Sequence, residues 1–186
     1  VGKYLANRCG LGSFPRCLRF VANARYSASE AFPTMVAMIS APDGKPSILH
    51  RTFLTDDGQK ASVESPRRMM PGTVAKGSAI RLADAAEAMG IAEGIETALS
   101  AAALYGLPVW AAVNSELLKN WEPPTCAKRI VIFGDNDSNF VGQSSAYALA
   151  RRLAKPELTV EIQIPPNVGD DWNDVYRRTA ATSVAA

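Results

Sequence analysis

Acidic side chains in the second half of the chain have the types and spacing needed to bind a metal ion. Glu93, Asp135 and Asp137 each follow a short apolar segment, and Asp171 lies in a later acidic segment. On an extended backbone, side chains two residues apart point the same way, so we expect Asp135 and Asp137 to face one point. Carboxylates gathered together repel each other unless a cation lies among them, and oxygen ligands select Mg²⁺ or Mn²⁺. The pattern predicts metal-dependent phosphoryl transfer.

Two other interpretations of this pattern are disfavoured. The segment that begins at Asp135 is similar to the start of a calcium-binding EF-hand loop, but Phe140 stands where the loop needs Gly. Its twelfth position is Ala146 rather than Glu. A simple nucleotide-binding domain is also disfavoured, because the glycine-rich phosphate-binding motifs G-x-G-x-x-G (after the first strand) and G-x-x-x-x-G-K-[ST] do not occur.

The elements that must position the acids alternate between strands and helices. The sequence predicts strands at 89–92, 108–113, 129–133 and 158–164, and helices at 95–105, 115–121, 144–154 and from about 171. This order predicts a doubly wound, mostly parallel sheet flanked by helices, which is an α/β fold. Ligands bind outside the carboxyl ends of the strands in such sheets, and the acidic residues fall at those ends.

The first part of the chain has a different character. A short helix is expected at 3–8, and strands at 34–40 and 47–54 should form a β-hairpin around the turn at Asp43-Gly44. Residues 62–79 read as irregular, followed by a short strand at 79–82. The only histidine, His50, lies in the second hairpin strand, where we expect it to be a structural residue with its hydrogen bond satisfied.

Composition and charge limit the class of protein. Residues 1–84 contain 12 basic and 6 acidic residues, whereas residues 85–186 contain 8 basic and 12 acidic ones. A basic half joined to an acidic half favours a polyanion held by one and a metal held by the other. No apolar run approaches the ~20 residues that span a bilayer, and no signal peptide is evident, so a soluble cytoplasmic protein is predicted. Three cysteines without C-x-x-C spacing disfavour a disulfide framework or a zinc site.

Three segments together resemble the Toprim family of primases, topoisomerases, recombination mediators and nucleases. Residues 92–97 (AEGIET) look like its strand–Glu-Gly–helix motif, and residues 130–137 (IVIFGDND) look like its strand–D-x-D motif. Residues 169–174 (GDDWND) resemble the downstream acidic motif of primases. The resemblance implies a Rossmann-like Toprim core with Glu93, Asp135 and Asp137 as catalytic residues. It also implies that these three and Asp171 bind Mg²⁺ or Mn²⁺.

One position departs from the family pattern. Many primases carry an Asp four residues after the Glu of the first motif, and this chain has Thr97 there. The neighbouring Glu96 is the candidate substitute. This departure leaves the number of metal ions open.

The N-terminal half is similar to the small subdomain that precedes the Toprim core in bacterial and phage primases. The resemblance implies a basic α+β subdomain at 1–80, a Toprim catalytic domain at 81–178 and a tail at 179–186. It also implies that five basic residues contact template or nucleotide phosphates, largely without sequence preference: Arg51, Arg67, Arg68, Lys76 and Arg81. The overall pattern is most like Toprim proteins of phages, plasmids and integrated elements.

The function that the resemblance implies is the catalytic core of a DNA primase, a nucleotidyltransferase of DNA replication. Its partners would be a single-stranded DNA template and nucleoside triphosphates. Because the first residue is Val1 and such cores usually adjoin other domains, we expect a helicase or zinc-binding module in the full-length protein. Two alternatives stay open, namely a metal-dependent Toprim nuclease and a non-catalytic DNA-binding or recombination-mediator domain. A topoisomerase is disfavoured because the chain is too short for strand-gating domains.

Overall fold

Nine strands form one sheet that runs through both halves of the chain. The computed structural model describes the backbone of residues 1–184 and the side chains of residues 1–182. The strands are Leu18–Arg25 (β1), Ala31–Ser40 (β2), Pro46–Phe53 (β3), Arg67–Met69 (β4), Ala79–Ile80 (β5), Ala88–Ala92 (β6), Val109–Ala111 (β7), Arg129–Phe133 (β8) and Thr159–Gln163 (β9). Their order in the sheet is β4-β3-β2-β5-β7-β6-β8-β9, and β1 pairs with β2 in addition.

The second half of the sheet is parallel, as its sequence predicts. Strand β6 pairs in parallel with both β7 and β8, and β8 pairs in parallel with β9. The chain therefore passes from β6 to β7 on one side and then crosses to β8 on the other. This reversal between β6 and β8 is the topological switch point at which open α/β sheets bind ligands.

Five helices cover the two faces of the sheet in the described part of the chain. They are Gly2–Cys9 (α1), Ile95–Tyr105 (α2), Ser115–Asn120 (α3), Val141–Leu153 (α4) and Trp172–Val184 (α5). Helices α1, α2 and α5 pack against one another, and α3 packs against α4. Strand β8 shows both layers, because Val131 and Phe133 belong to one apolar cluster and Ile130 and Ile132 to the other. None of the described helices is long and apolar enough to cross a membrane.

The predicted fold class is confirmed, including the hairpin, which β2 and β3 form as an antiparallel pair. Helix α2 begins and ends where the sequence predicts, with Gly106 in the left-handed conformation (φ 65°) at its C-terminus. Helix α3 is capped by Asn114, whose side chain accepts a hydrogen bond from the backbone N–H of Leu117. These local signals fix the helices that follow β6 and β7.

Three local features were missed by the sequence analysis or differ from it. Strand β1 was not predicted, because apart from Leu18 it is largely exposed and shows no apolar alternation. Strand β4 lies within the segment predicted to be irregular, where it pairs with β3. The predicted tail is helical up to Val184, since α5 continues through it. Residues 185 and 186 lie outside the described residues.

Candidate active site

Glu93 and Asp135 lie at the switch point of the sheet. Ala92 at the end of β6 pairs with Phe133 at the end of β8, so the residues that follow these strands leave the sheet side by side. Glu93 comes directly after Ala92, and Asp135 follows Phe133 after one glycine. The parallel register thus brings together two acids that are 42 positions apart in the sequence.

A network of hydrogen bonds fixes the loop that carries Asp137. Oδ2 of Asp137 accepts a hydrogen bond from the backbone N–H of Gly142, at 2.9 Å, in the first turn of α4. Nε2 of Gln143 donates to the Asp137 carbonyl oxygen at 2.9 Å and to Oδ1 of Asn136 at 2.7 Å. A Cβ atom on residue 142 would lie 2.6 Å from the Asp135 carbonyl oxygen, so glycine is required for this approach. The first turn of α4 therefore holds the loop between β8 and α4 in place, and we call this loop (residues 134–140) the aspartate loop.

Asp171 reaches the same region from the beginning of α5. Its Oδ1 accepts a hydrogen bond from the backbone N–H of Asp174 at 3.0 Å, and Oδ2 of Asp174 accepts one from the N–H of Asp171 at 3.3 Å. This reciprocal arrangement is a capping box with two aspartates. The loop before it is joined to the aspartate loop, because the N–H of Asn136 donates to the Asp170 carbonyl oxygen at 3.0 Å. The Asp170 side chain itself is paired with Arg178.

The electrostatics show that the acids are close to one another. Burial raises the pKa of Asp135 to about 8, with further contributions from the charges of Asp171, Glu93 and Asp137. Burial and the charge of Asp137 also raise the pKa of Glu93. Burial raises the pKa of Asp171 as well. A bound cation would lower these raised pKa values and stabilise the ionised carboxylates.

One oxygen atom of this cluster has no partner in the structure. Oδ1 of Asp135 is buried and accepts no hydrogen bond from any residue that the structure describes. Within residues 1–182, no three acid, histidine or cysteine side chains converge as a complete set of metal ligands. A Mg²⁺ ion usually binds through one or two carboxylates and keeps several waters, so a complete protein cage is not required. The unpartnered oxygen of Asp135, with Glu93 and Asp137 beside it, therefore fits a hard divalent cation.

Three cations line the cavity in front of the acids. Arg8, Lys60 and Arg67 share a cavity of about 130 Å³ with Glu93, Asp135 and Asp171, among others. Arg67 was predicted to contact phosphate, but Arg8 and Lys60 were missed. Nη2 of Arg8 lies 3.9 Å from Oδ2 of Asp171. Neither residue belongs to a motif, and only the packing of α1 and of the segment after β3 against the Toprim-like half brings them here.

Glu96 holds one of these cations. The residue is only 5% exposed, its Oε1 accepts a hydrogen bond from the Tyr4 hydroxyl, and the same oxygen lies 3.7 Å from Nζ of Lys60. Burial alone would raise the pKa of Glu96, but Lys60 and Tyr4 outweigh it and lower the pKa. Glu96 was the candidate to replace the missing aspartate at Thr97. Its Oε1 instead contacts Lys60 and Tyr4, so the side chain anchors the N-terminal half of the chain (residues 1–82), called the N-terminal module below.

The five predicted phosphate contacts have different surroundings. Arg67 and Arg68 are neighbours on β4 and therefore point to opposite faces of the sheet. Arg67 is exposed and lines the acidic cavity. The guanidinium of Arg68 lies 3.8 Å from the centre of the Tyr26 ring and donates to the Tyr26 hydroxyl. Arg67 thus belongs to the site, whereas Arg68 packs on the other face.

The other three differ as well. Nη1 of Arg51 donates to the Arg25 carbonyl oxygen at 3.3 Å, on the side of the sheet where Arg68 lies. Nη2 of Arg81 donates to the Ala41 and Pro42 carbonyl oxygens at 2.8 Å each, so this side chain stabilises the hairpin turn. Lys76 is exposed.

His50 lies on β3 as predicted, but its expected hydrogen bond is missing at one nitrogen. Nδ1 is buried and has no hydrogen-bond partner among the described residues. The pKa of His50 is lowered to about 4, chiefly by burial, while the charge of Glu96 opposes the shift and that of Arg67 adds to it. The imidazole is therefore neutral at pH 7.

The comparisons with known proteins identify the family and the fold. A family model described as the Toprim domain matches residues 88–182, slightly more than half of the chain. The chain belongs to the Toprim domain family. A model described as a domain of unknown function (DUF7146) matches residues 1–82. No curated protein matches the chain.

Several solved structures have the same fold as this Toprim protein. The primase fragment of the bacteriophage T7 primase-helicase protein is 14% identical with a TM-score of 0.62, and the match covers 98% of this chain and 67% of that one. A DNA primase domain from Pseudomonas aeruginosa is 17% identical with a TM-score of 0.54, covering 87% of this chain and 55% of that one. The Aquifex aeolicus primase fragment is 14% identical with a TM-score of 0.54, covering 88% and 42%. The Toprim protein thus spans about two thirds or less of these structures.

Proposed function

We propose that this Toprim protein is the catalytic core of a DNA primase, which joins ribonucleotides into RNA primers on single-stranded DNA with the help of Mg²⁺. The observation that carries this proposal is the buried, unpartnered Oδ1 of Asp135, placed among acids on one side and facing cations across the cavity. Carboxylates that need a metal and cations that can bind phosphate are the two halves of a nucleotidyl-transfer site.

Asp135 and Asp137 would hold the metal, with Glu93 beside it and Asp171 in support. The bound Mg²⁺ would neutralise the charge of the triphosphate and of these carboxylates. Glu93, whose pKa is raised, is suited to accept the proton of an attacking 3′-hydroxyl. The hydroxyl oxygen then bonds to the α-phosphorus of the incoming nucleotide, and the bond from that phosphorus to the departing diphosphate breaks.

The cations of the cavity would bind the phosphates. Arg67 is the best placed of the predicted residues, and Lys60 and Arg8 lie beside it. Lys76, which is exposed, would contact the nucleic-acid backbone outside the cavity. Arg51, Arg68 and Arg81 would bind phosphate through the guanidinium N–H groups that are not used in their contacts within the protein. Such contacts bind phosphate irrespective of sequence and weaken with salt.

The partners follow from the same proposal. They are a single-stranded DNA template, nucleoside triphosphates and, in the full-length protein, a helicase or zinc-binding module. One structure of the same fold comes from a primase-helicase protein, and another contains zinc-binding and RNA polymerase domains.

The test is a primer-synthesis assay with single-stranded DNA, ribonucleotides and labelled ATP, with and without Mg²⁺. We expect short Mg²⁺-dependent oligonucleotides that disappear in Glu93→Gln. A shortened template without synthesis would instead identify a nuclease that uses the same acids with water as the nucleophile. DNA binding that is unaffected by Glu93→Gln, with no product of either kind, would identify a domain that only binds.

A further inference from the structure

Two exposed apolar side chains adjoin the aspartate loop. Val168 and Phe140 are 70% and 69% exposed, which makes them the most exposed large hydrophobic side chains of the described residues. The N–H of Phe140 donates to the Asp137 carbonyl oxygen at 3.0 Å. The N–H of Gly169, next to Val168, donates to the Asn136 carbonyl oxygen at 2.6 Å. Both apolar side chains therefore lie on loops whose backbone is hydrogen-bonded to Asn136 and Asp137.

Phe140 occupies a backbone conformation that suits a different residue. Its φ is 63°, and Val113 is the only other non-glycine residue with a positive φ in the described part of the chain. Glycine or asparagine adopts this conformation at lower cost. The surrounding bonds nevertheless hold the segment in place, since the Ser144 N–H donates to the Phe140 carbonyl oxygen at 2.9 Å. The Val141 N–H also donates to Oδ1 of Asn139 at 3.2 Å.

Folding gives no reason for an aromatic ring at this position. A buried ring would offset the strained backbone through its hydrophobic contacts, but this ring lies mostly in solvent. Strained residues that the surrounding structure holds in place are concentrated at functional sites. An exposed aromatic ring on a hydrogen-bonded loop beside a phosphoryl-transfer site is suited to stack on a nucleic-acid base.

We infer that Phe140 is a stacking residue for a base of single-stranded nucleic acid that passes the acidic site. The inference rests on the proposed function and adds a contact to the base where the acids and cations contact only phosphate. The openness of the ring favours a strand over a free nucleotide, because a pocket for a single nucleotide would enclose most of the base and of the ring. Val168 would provide a second apolar surface at the same rim.

The experiment uses the whole chain and a single-stranded oligonucleotide that carries 2-aminopurine, a base whose fluorescence falls on stacking. Phe140→Gly should bind about 5- to 150-fold more weakly, the range expected when stacking on one base is lost, and should quench less. Phe140→Tyr should keep both properties. Phe20→Ala is the matched control, because Phe20 is also exposed, at 56%, but lies on β1 outside the acidic cavity. Phe140→Gly should not lower the unfolding temperature, since glycine suits the local backbone.

The outcomes separate this inference from the function on which it rests. Equal affinity and equal quenching for the wild type and Phe140→Gly would overturn the stacking role and leave the primase proposal standing. Loss of binding in Phe140→Tyr would overturn it too, as would quenching with a free 2-aminopurine ribonucleoside triphosphate but not with the oligonucleotide. A wild-type chain that binds no single-stranded DNA would overturn both proposals.

Discussion

Nζ of Lys60 lies 3.7 Å from Oε1 of Glu96, and this ion pair joins the N-terminal module to the first helix of the Toprim domain. Glu96 lies on α2, three residues after Glu93. Lys60 comes from the segment that follows the hairpin, and the Tyr4 hydroxyl on α1 donates to the same carboxylate. The Glu96 carboxylate therefore holds Lys60 at the edge of the cavity and links α2 to α1 and to the segment after β3.

Lys60→Met should destabilise the protein markedly. It leaves the Glu96 carboxylate buried without its cation, and breaking one partner of a buried ion pair costs roughly 3–5 kcal/mol. Because Lys60 is partly exposed, we expect the lower end of that range or less. The double variant Lys60→Met, Glu96→Gln should recover much of the loss in urea unfolding.

The matched control is Lys128→Met, which breaks the exposed pair with Glu87. Exposed pairs contribute about 0–1 kcal/mol, so this change should be nearly neutral. Equal effects of the two lysine substitutions would show that the Lys60 pair does not stabilise the fold.

Asp135→Asn should abolish metal-dependent activity without weakening the fold. In the absence of metal, burial raises the pKa of Asp135 to about 8, and the neighbouring acidic side chains contribute to the rise. At neutral pH the folded protein keeps this carboxyl protonated at a cost in stability, and asparagine avoids that cost, so the free energy of unfolding should be unchanged or higher in metal-free buffer. Added Mg²⁺ should raise the unfolding temperature of the wild type and have less effect on the variant. An unfolded Asp135→Asn protein would instead make Asp135 a structural residue.

Arg67→Glu and Arg68→Glu should differ despite their adjacent positions. Arg67 lines the cavity, so its reversal should weaken single-stranded DNA binding and reduce the slope of log affinity against log salt by roughly 0.7 for each lost phosphate contact. Arg68 stacks on Tyr26, so its reversal should lower the unfolding temperature more than the binding slope. Binding titrations at several salt concentrations, paired with thermal unfolding, test this. The same response in both variants would contradict the assignment of Arg67 to DNA binding and Arg68 to stability.

His50 should make the protein less stable as the pH falls from about 6.5 to about 4. The pKa of His50 is lowered to about 4 in the folded protein, whereas the unfolded chain has the ordinary value. Between these values the unfolded state binds a proton that the folded state does not, so acid favours unfolding. The stabilisation is fully present above pH 6.5 and decreases by roughly 3 kcal/mol on descending through this window.

His50→Gln should flatten that dependence in urea titrations at pH 4, 5, 6 and 7. The variant carries no titrating group at this position, so the slope due to His50 disappears whatever the absolute stability. An unchanged slope would show that other groups, such as the carboxylates, govern acid sensitivity.

The parts of the site that follow from strand order could be predicted from sequence. Glu93, Asp135 and Asp137 stand directly after apolar runs, and a parallel sheet brings the carboxyl ends of such runs to one edge. Arg8 and Lys60 could not be predicted in this way. Their positions depend on how α1 and the segment after β3 pack on the Toprim domain, and no local periodicity records such a contact. The role of Glu96 was missed for the same reason.

The sheet has a further consequence at the junction between the two family matches. Strand β5 pairs with β2 on one side and, through Ile80 and Ala111, with β7 on the other. The two matches end and begin at residues 82 and 88, so a gene shortened to start between them would lose β5. Strand β7 would then become an open edge with unpaired backbone groups and apolar side chains, which is a template for aggregation. The two modules should therefore be inherited, expressed and exchanged together.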